Sequence, residues 1–499
     1  MPEDHIILLK RIGLVGFSQT YHNMKGFFLL PLLTKALSTS GYGVYSLILI
    51  SVTILQPFIL LGLQDAVLRF LSPQSKEKIC QGVITVTIAI LLSGTIAAVI
   101  FFFSSDFLAN IILKDPSAAY IIKFAAPYIL LDSMFTFILS TFRVFGMIKK
   151  YAAVLIMKTT LEMGLIYFFI LSGFGIIGAI TSLMIAEIIS LIIMLYFIFS
   201  YAGISKPNYL LLKPYLLFGL PLIPMLSVAY VCDINDRYVI GFFLGAGKVG
   251  IYSAAYGIGT IPLALSRYLV YVLGPTIYNL YDNGKVDRVK MYLTYAWKYL
   301  AMLLIPAAFG LSILSKPLLQ VMTTSNFVSD GIYIIPLVVV GIVFWSMEQI
   351  FGISIYIFKR RKIFVIAFII GAGINFILNI ILVPIYGLVA AAVTTLIAYA
   401  LILIIVGYSS RKLFRFDLNF KFIVKSIFAS IGMILGIWII NPNSLLQIIL
   451  SVIIGIVIYF SLLLVLKGFT KEELRNIFTV LGLRKFYEKI NLSLNQIRK

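Results

Sequence analysis

Fourteen long apolar runs follow one another along this chain with only short connections between them, and that succession limits the fold more than any other feature. A helix needs about 20 apolar residues to cross about 30 Å of hydrocarbon. By that criterion the runs fall at roughly 12–34, 42–64, 80–103, 118–140, 150–172, 175–200, 214–235, 249–273, 293–315, 331–354, 363–384, 387–408, 422–440 and 444–466. No connection is long enough to form a separate aqueous domain. With 61% of 499 residues hydrophobic and a mean hydropathy of +1.06, the chain carries more apolar surface than a water-soluble fold of this size can bury. The expected class is an all-α polytopic membrane protein with about fourteen transmembrane helices.

The net charge of +21 suits either nucleic acid or membrane topology, and its placement decides between them. If both ends lie on one side, 31 of the 40 Lys and Arg fall on that side. Five fall on the other (Lys35, Lys114, Arg237, Lys248 and Lys316), and four lie within the runs (Lys25, Lys123, Lys158 and Arg267). This asymmetry follows the positive-inside rule, places both termini in the cytoplasm and leaves no need for a nucleic-acid partner. The expected location is the cell (cytoplasmic) membrane. Cys80 and Cys232 form neither a disulfide framework nor a metal-ligand spacing, and read as small buried hydrophobes. There are only two histidines, His5 and His22, and no nucleophile–base pairing, phosphate loop or cofactor motif is visible. A membrane enzyme such as a glycan polymerase or acyltransferase is therefore disfavoured. The opening MPEDHIILLKRIG shows no cleavage site and is expected to be retained. Near the other end, Thr470 and Glu473 have capping-box spacing. Leu474, Ile477, Phe478 and Leu481 follow at helical intervals. A basic amphipathic helix lying on membrane lipids and a solvated, orienting tail both fit that pattern.

An internal repeat organises the runs. YGVYS at 42–46 returns as VGIYS at 249–253, an offset of 207. GIIGAITSLMIA at 175–186 returns as GLVAAAVTTLIA at 387–398, an offset of 212, and Lys149-Lys150 falls on Arg361-Lys362 at the same offset. Runs 1–6 thus pair with runs 7–12 in the same sense, which predicts two six-helix bundles related by a pseudo-twofold along the membrane normal. The implied division is 1–205 and 206–410 for the two lobes, 411–466 for an added helix pair and 467–499 for the basic tail. Gly178, Ser182 and Ala186, like Ala390, Thr394 and Ala398, lie four apart, a spacing that lets helices approach closely in lipid.

LGLQDAVLRF at 61–70, FGLPLIP at 218–224, DRYVIGFFLGAGKVGIYSAAY at 236–256 and INFILNIILVPIYGLVAAAVTTLIAY at 374–399 carry a resemblance. In order and spacing they resemble the polysaccharide flippases (the Wzx type) of the multidrug/oligosaccharidyl-lipid/polysaccharide exporter superfamily. The resemblance implies a V-shaped pair of bundles. It further implies that an oligosaccharide on a polyprenyl-pyrophosphate carrier is flipped from the inner to the outer leaflet by alternating access, with polysaccharide assembly proteins as further partners. A peptidoglycan-precursor lipid flippase and a multidrug or metabolite exporter share that fold and stand as alternatives.

A pyrophosphate calls for fixed cations in a wet cavity, and a charge within the bilayer is costly enough to mark a function. Lys25, well inside run 1, is the first candidate, with His22 and Asn23 beside it. Ser18, His22 and Lys25 share one helix face and give run 1 a polar stripe. Arg267, in run 8 of the other lobe, is placed to grip the same anion from the opposite side. Lys158 reads either as a third cavity cation or as the intrahelical partner of Glu162, four residues on. Arg69 and Lys123 lie nearer run ends and read as interfacial. Glu162, Glu187 and Asp233 are candidates for coupling or gating, from a set of acids that includes Asp65, Asp132 and Glu348. Asp233 is expected to meet Lys25 across the cleft, and the Asp236–Arg237 pair to fix the turn from run 7 into run 8. Asn375 and Asn379 read as polar glue between helices.

Overall fold

The computed structural model describes residues 3–71, 74–470, 473 and 475, and the described chain is helical throughout. The helices are α1 (Glu3–Ala36), α2 (Thr39–Leu60), α3 (Leu63–Leu71), α4 (Lys76–Phe103), α5 (Ser105–Phe107), α6 (Ala118–Val144), α7 (Ile148–Leu171), α8 (Gly175–Ala202), α9 (Leu212–Gly219), α10 (Ile223–Leu244), α11 (Ala246–Gly259), α12 (Leu263–Asp282), α13 (Val286–Ile313), α14 (Ser315–Met322), α15 (Ser325–Ile357), α16 (Lys362–Tyr386), α17 (Leu388–Leu413), α18 (Phe420–Ile440) and α19 (Leu445–Val465). Among the described residues, 11 helices are long and apolar enough to cross a membrane. The long α1, the α9–α10 pair and the α11–α12 pair supply three more crossings, which makes the fourteen expected. The even number returns the chain to its starting side, here called the inner side.

Two runs read as single segments are broken helices. Pro221 and Pro224 lie at a 3-10 turn, Leu220–Leu222, that separates α9 from α10. Run 8 is interrupted between Gly259 and Leu263, where Pro262 contributes no N–H to continue α11. The long α10 also shifts one expectation. Asp236 and Arg237 do not stand at the outer end of their crossing, because the helix continues for two further turns to Leu244.

The two repeats have separate physical causes. Gly43 on α2 and Gly250 on α11 lie where these helices cross between the two six-helix bundles. A Cβ on Gly43 would sit 1.9 Å from the Ala246 carbonyl oxygen, and a Cβ on Gly250 would sit 2.1 Å from that of Thr39. Both the glycines and the carbonyls they meet are 207 residues apart, so each bundle presents the other with its own counterpart. This reciprocity is the signature of a pseudo-twofold interface. The second repeat begins at Gly175 and Gly387, whose φ values of +55° and +68° lie in the left-handed region as the chain turns into α8 and α17.

Contacts between the bundles occur on both sides of the membrane. On the outer side the Thr34 hydroxyl donates to the Met322 carbonyl at 2.9 Å, and the Lys114 ammonium donates to that of Phe243 at 2.9 Å. On the inner side α3 packs against α9. There Gly62 and Gly219 allow backbone-to-backbone approach, Phe70 stacks on Tyr215 at 5.6 Å, and the Arg69 guanidinium lies 4.7 Å above the Phe218 ring. The added pair α18–α19 is tied to α13 by Tyr459, whose hydroxyl pairs with Ser426 at 2.7 Å and donates to the Met302 carbonyl at 3.0 Å. The Thr470–Glu473 capping box is present. Thr470 N–H donates to Glu473 at 2.7 Å, and Glu473 N–H donates to the Thr470 hydroxyl at 3.2 Å. Glu473 also takes both short bonds from the buried Lys298 ammonium, at 2.6 and 2.7 Å. The remaining residues of the proposed tail helix lie outside the described residues.

Candidate functional site

The polar stripe of α1 faces α7. Ser18 is buried and bonds back to the Val15 carbonyl, the His22 Nδ1 meets the Thr159 hydroxyl at 2.9 Å, and the Lys25 ammonium lies 2.6 Å from Glu162 Oε2. Glu162 is completely buried, whereas Lys25 retains 24% exposure. One turn back on α7, Lys158 sits 3.1 Å from Glu162 Oε1 and 2.6 Å from Glu187 Oε1, which projects from α8. The Lys158 ammonium also lies 4.1 Å from the centre of the Phe135 ring. The order Lys25–Glu162–Lys158–Glu187 therefore alternates in sign and sums to zero. Alternation of this kind lets charged side chains share the bundle interior, where any one of them alone would be strongly destabilising. Asn23 points away from the chain of charges and is exposed. Lys25 is the most exposed member of the chain, with 24% exposure against 0–3% for the other three.

The second bundle answers with a different set at α10, α16 and α17. Asp236 is fully buried. Its Oδ2 accepts from the Tyr252 and Thr395 hydroxyls, both at 2.6 Å, and its Oδ1 accepts from Asn379 Nδ2 at 2.9 Å. Thr394 donates to Asn379 Oδ1 at 2.6 Å, and Asn235 and Asn375 close the network. The Arg237 guanidinium lies on the Tyr256 ring at 3.8 Å. Neutral donors thus stabilise the carboxylate, and a π face stabilises the neighbouring cation.

Arg267 lies away from both clusters. It is exposed on α12 and lines a cavity of about 400 Å3 enclosed by α10, α12, α15 and α16, together with Glu348, Gln349, Trp345 and Tyr356. Asp233 lies on α10, but its side chain, like that of Cys232, is outside the described residues. Lys123, read as interfacial, pairs with Asp106 at 2.9 Å, both exposed. The structure thus joins Lys25, His22, Lys158, Glu162 and Glu187, and separately joins Asp236 and Arg237 with Asn375 and Asn379. Sequence reasoning missed Thr394, Thr395 and Tyr252 as partners of Asp236. The only signal for them was that Thr394 and Thr395 stand in a repeat motif already assigned to packing.

A family model described as "Polysaccharide biosynthesis protein" matches residues 8–280. Two curated proteins of Haloferax volcanii are similar. One is a "Probable low-salt glycan biosynthesis flippase Agl15", 22% identical over 247 residues that cover 48% of this chain and 52% of the relative. The other is a "Probable flippase AglR", 27% identical over 175 residues that cover 33% and 35%. The chain therefore spans about half the length of the first of these relatives and about a third of the second. Among solved structures, the lipid II flippase MurJ in an inward closed conformation superposes with a TM-score of 0.75 at 17% identity, over 89% of this chain and 97% of MurJ. An inward-facing multidrug resistance MATE transporter superposes with a TM-score of 0.65 at 16% identity, over 79% and 94%. These likenesses establish the fold.

Proposed function

The chain belongs to the polysaccharide biosynthesis protein family, and from that premise we propose that it is a flippase. It moves a polyprenyl-pyrophosphate-linked oligosaccharide from the inner to the outer leaflet by alternating access, for surface polysaccharide assembly, as a transporter without catalytic chemistry of its own. Residues 1–205 and 206–410 are read as the lobes that rock against each other, with 411–466 an added pair and 467–499 a cytoplasmic tail. The charge asymmetry of the loops supports a cell-membrane protein with both termini in the cytoplasm.

The observation that carries the reading is Lys25, a cation deep in α1 whose carboxylate partner is wholly buried while it stays partly open itself. In the resting arrangement Glu162 holds Lys25. An arriving pyrophosphate competes for that ammonium, with His22 alongside, and leaves Glu162 to its remaining partner, Lys158. Arg267 supplies the second cation from the opposite lobe. Loading thus rewrites an ion-pair chain that runs from α1 through α7 to α8, a coupling between substrate and helix packing that a rocking mechanism requires. Asp236 and Arg237 are assigned to gating in the second lobe, where α10, α11, α16 and α17 meet. Parting of α3 from α9 opens the inner side. The family premise favours a lipid-linked glycan over a drug, and a cation at the open end of the cluster suits an anionic head group.

The test is glycan display in a flippase-null strain at matched protein levels. Lys25→Ala is expected to lower display more than about tenfold, and Lys25→Arg to retain most of it. Full display in Lys25→Ala would overturn the reading.

A further inference from the structure

The transport scheme uses one residue of the second-lobe cavity, Arg267, and leaves the rest of its lining without a role. Within that lining Glu348 is unusual. It lies on α15 about 14 Å from the inner helix end at 1.5 Å per residue. It is 2% exposed, and its Oε1 has no hydrogen-bond partner among the described residues. Nor does any described Lys or Arg pair with it, whereas Glu162 and Glu187, which also hold oxygens without a hydrogen bond, face Lys158, and Asp236 has hydroxyl and amide donors. A buried carboxylate in that condition is destabilising unless something else donates to it.

We propose that this cavity is the sugar subsite of the transport site, and that it takes the carrier-proximal hexose, neutral or amino-bearing, of the lipid-linked glycan. The proposal rests on the flippase reading above. Sugar hydroxyls and amides are the donors that Glu348 lacks. Gln349, the next residue, both donates and accepts, and the Arg267 guanidinium donates only. Planar side chains of this kind suit adjacent hydroxyl pairs. Trp345 and Tyr356 offer flat apolar faces to the C–H face of a pyranose ring. Trp345 is held by Phe368 and Tyr399, with ring centres 5.3 and 4.9 Å away, so its face is fixed before a ligand arrives. The Ser346 hydroxyl donates to that of Ser266 at 3.0 Å and ties α15 to α12, the helices that bring Glu348 and Arg267 to one cavity. The cavity, at about 400 Å3, lies within the size range of small-molecule sites. Its chemistry also selects. Glu348, with no described cation paired to it, offers an acidic sugar no counter-charge, and Arg267 orients the cavity toward the phosphate-bearing end of the ligand.

The experiment uses the full chain with Trp297→Phe and Trp438→Phe, which leaves Trp345 as its only tryptophan. Three probes are titrated by fluorescence: a short-chain polyprenyl pyrophosphate, the same carrier bearing N-acetylhexosamine, and the same carrier bearing a uronic acid. The N-acetylhexosamine probe is expected to bind about tenfold tighter than the bare carrier and to shift Trp345 emission, with no such gain for the uronic acid. Glu348→Leu, which removes the hydrogen-bonding group, is expected to bring the affinity ratio of the N-acetylhexosamine probe to the bare carrier down to about one, whereas a purely structural role would weaken both probes alike. Equal affinity for all three probes, or an N-acetylhexosamine gain that persists in Glu348→Leu, would overturn the sugar subsite and leave the flippase reading standing. Binding of none of the three would overturn both.

Discussion

The two bundles place polar groups on equivalent helices and stabilise them in opposite ways. In the first, α1, α7 and α8 carry an alternating chain of four charges, Lys25–Glu162–Lys158–Glu187. In the second, α10, α16 and α17 hold the buried Asp236, wrapped in hydroxyl and amide donors. The positions do not correspond. At the 212 offset Lys158, Glu162 and Glu187 fall on Ile370, Ile374 and Tyr399, and Asn379 falls on Tyr167. Duplication therefore preserved the backbone features, the Gly43–Gly250 contact and the left-handed turns at Gly175 and Gly387, while the chemistry of each bundle diverged. The ionic bundle is suited to exchanging one of its anions for a substrate anion. The second network rests mainly on hydroxyl and amide donors, which can be exchanged one at a time.

That contrast sets the order of expected effects. Lys158→Met should be the most damaging change, about 3–5 kcal/mol, because it strands the buried Glu187 and leaves Glu162 with Lys25 alone. Thermal unfolding of the purified protein measures it, and adding Glu187→Leu should recover part of the loss. A penalty no larger than that of Asp236→Asn would erase the distinction between the bundles. Gly43→Ala and Gly250→Ala should each cost about 1–3 kcal/mol, since backbone rather than a movable side chain meets the new methyl. Their costs should agree within about 0.5 kcal/mol, and a clear inequality would break the pseudo-twofold comparison. Asp236→Asn should cost about 1–2 kcal/mol, the scale of rearranged hydrogen bonds rather than of an orphaned charge. Thr394→Val should cost about 1 kcal/mol or less, as single interhelical hydrogen bonds in membrane bundles do, and urea or heat titration of the pair with Asn379→Ala would show whether the two act as one unit.

Much of the site was visible along the chain. The stripe Ser18, His22, Lys25 was assigned to one face of run 1, and it does share a face, turned toward α7. The i, i+4 pair Lys158–Glu162 was also open to sequence inspection, since both members lie on one helix. The link from Lys25 to Glu162 was not, because 137 residues separate them. For the same reason Asp236, read as a turn-fixing residue, proved to be bonded to Asn379 and Thr395, 143 and 159 residues away.

Membrane class, the number of crossings, the loop-charge asymmetry, the repeat and the Thr470–Glu473 cap depend on run length, loop charge and spacing along a single segment. Lipid solvation and helix geometry act on those locally, so they were settled before any helix met another. Which cations are neutralised, which acid is left with an open oxygen, and which glycines lie on the pseudo-twofold depend on pairs of helices arriving at one depth and rotation. Only packing decides that, because the stability of a buried charge or a close backbone approach is set by the neighbour across the interface and not by the residue itself.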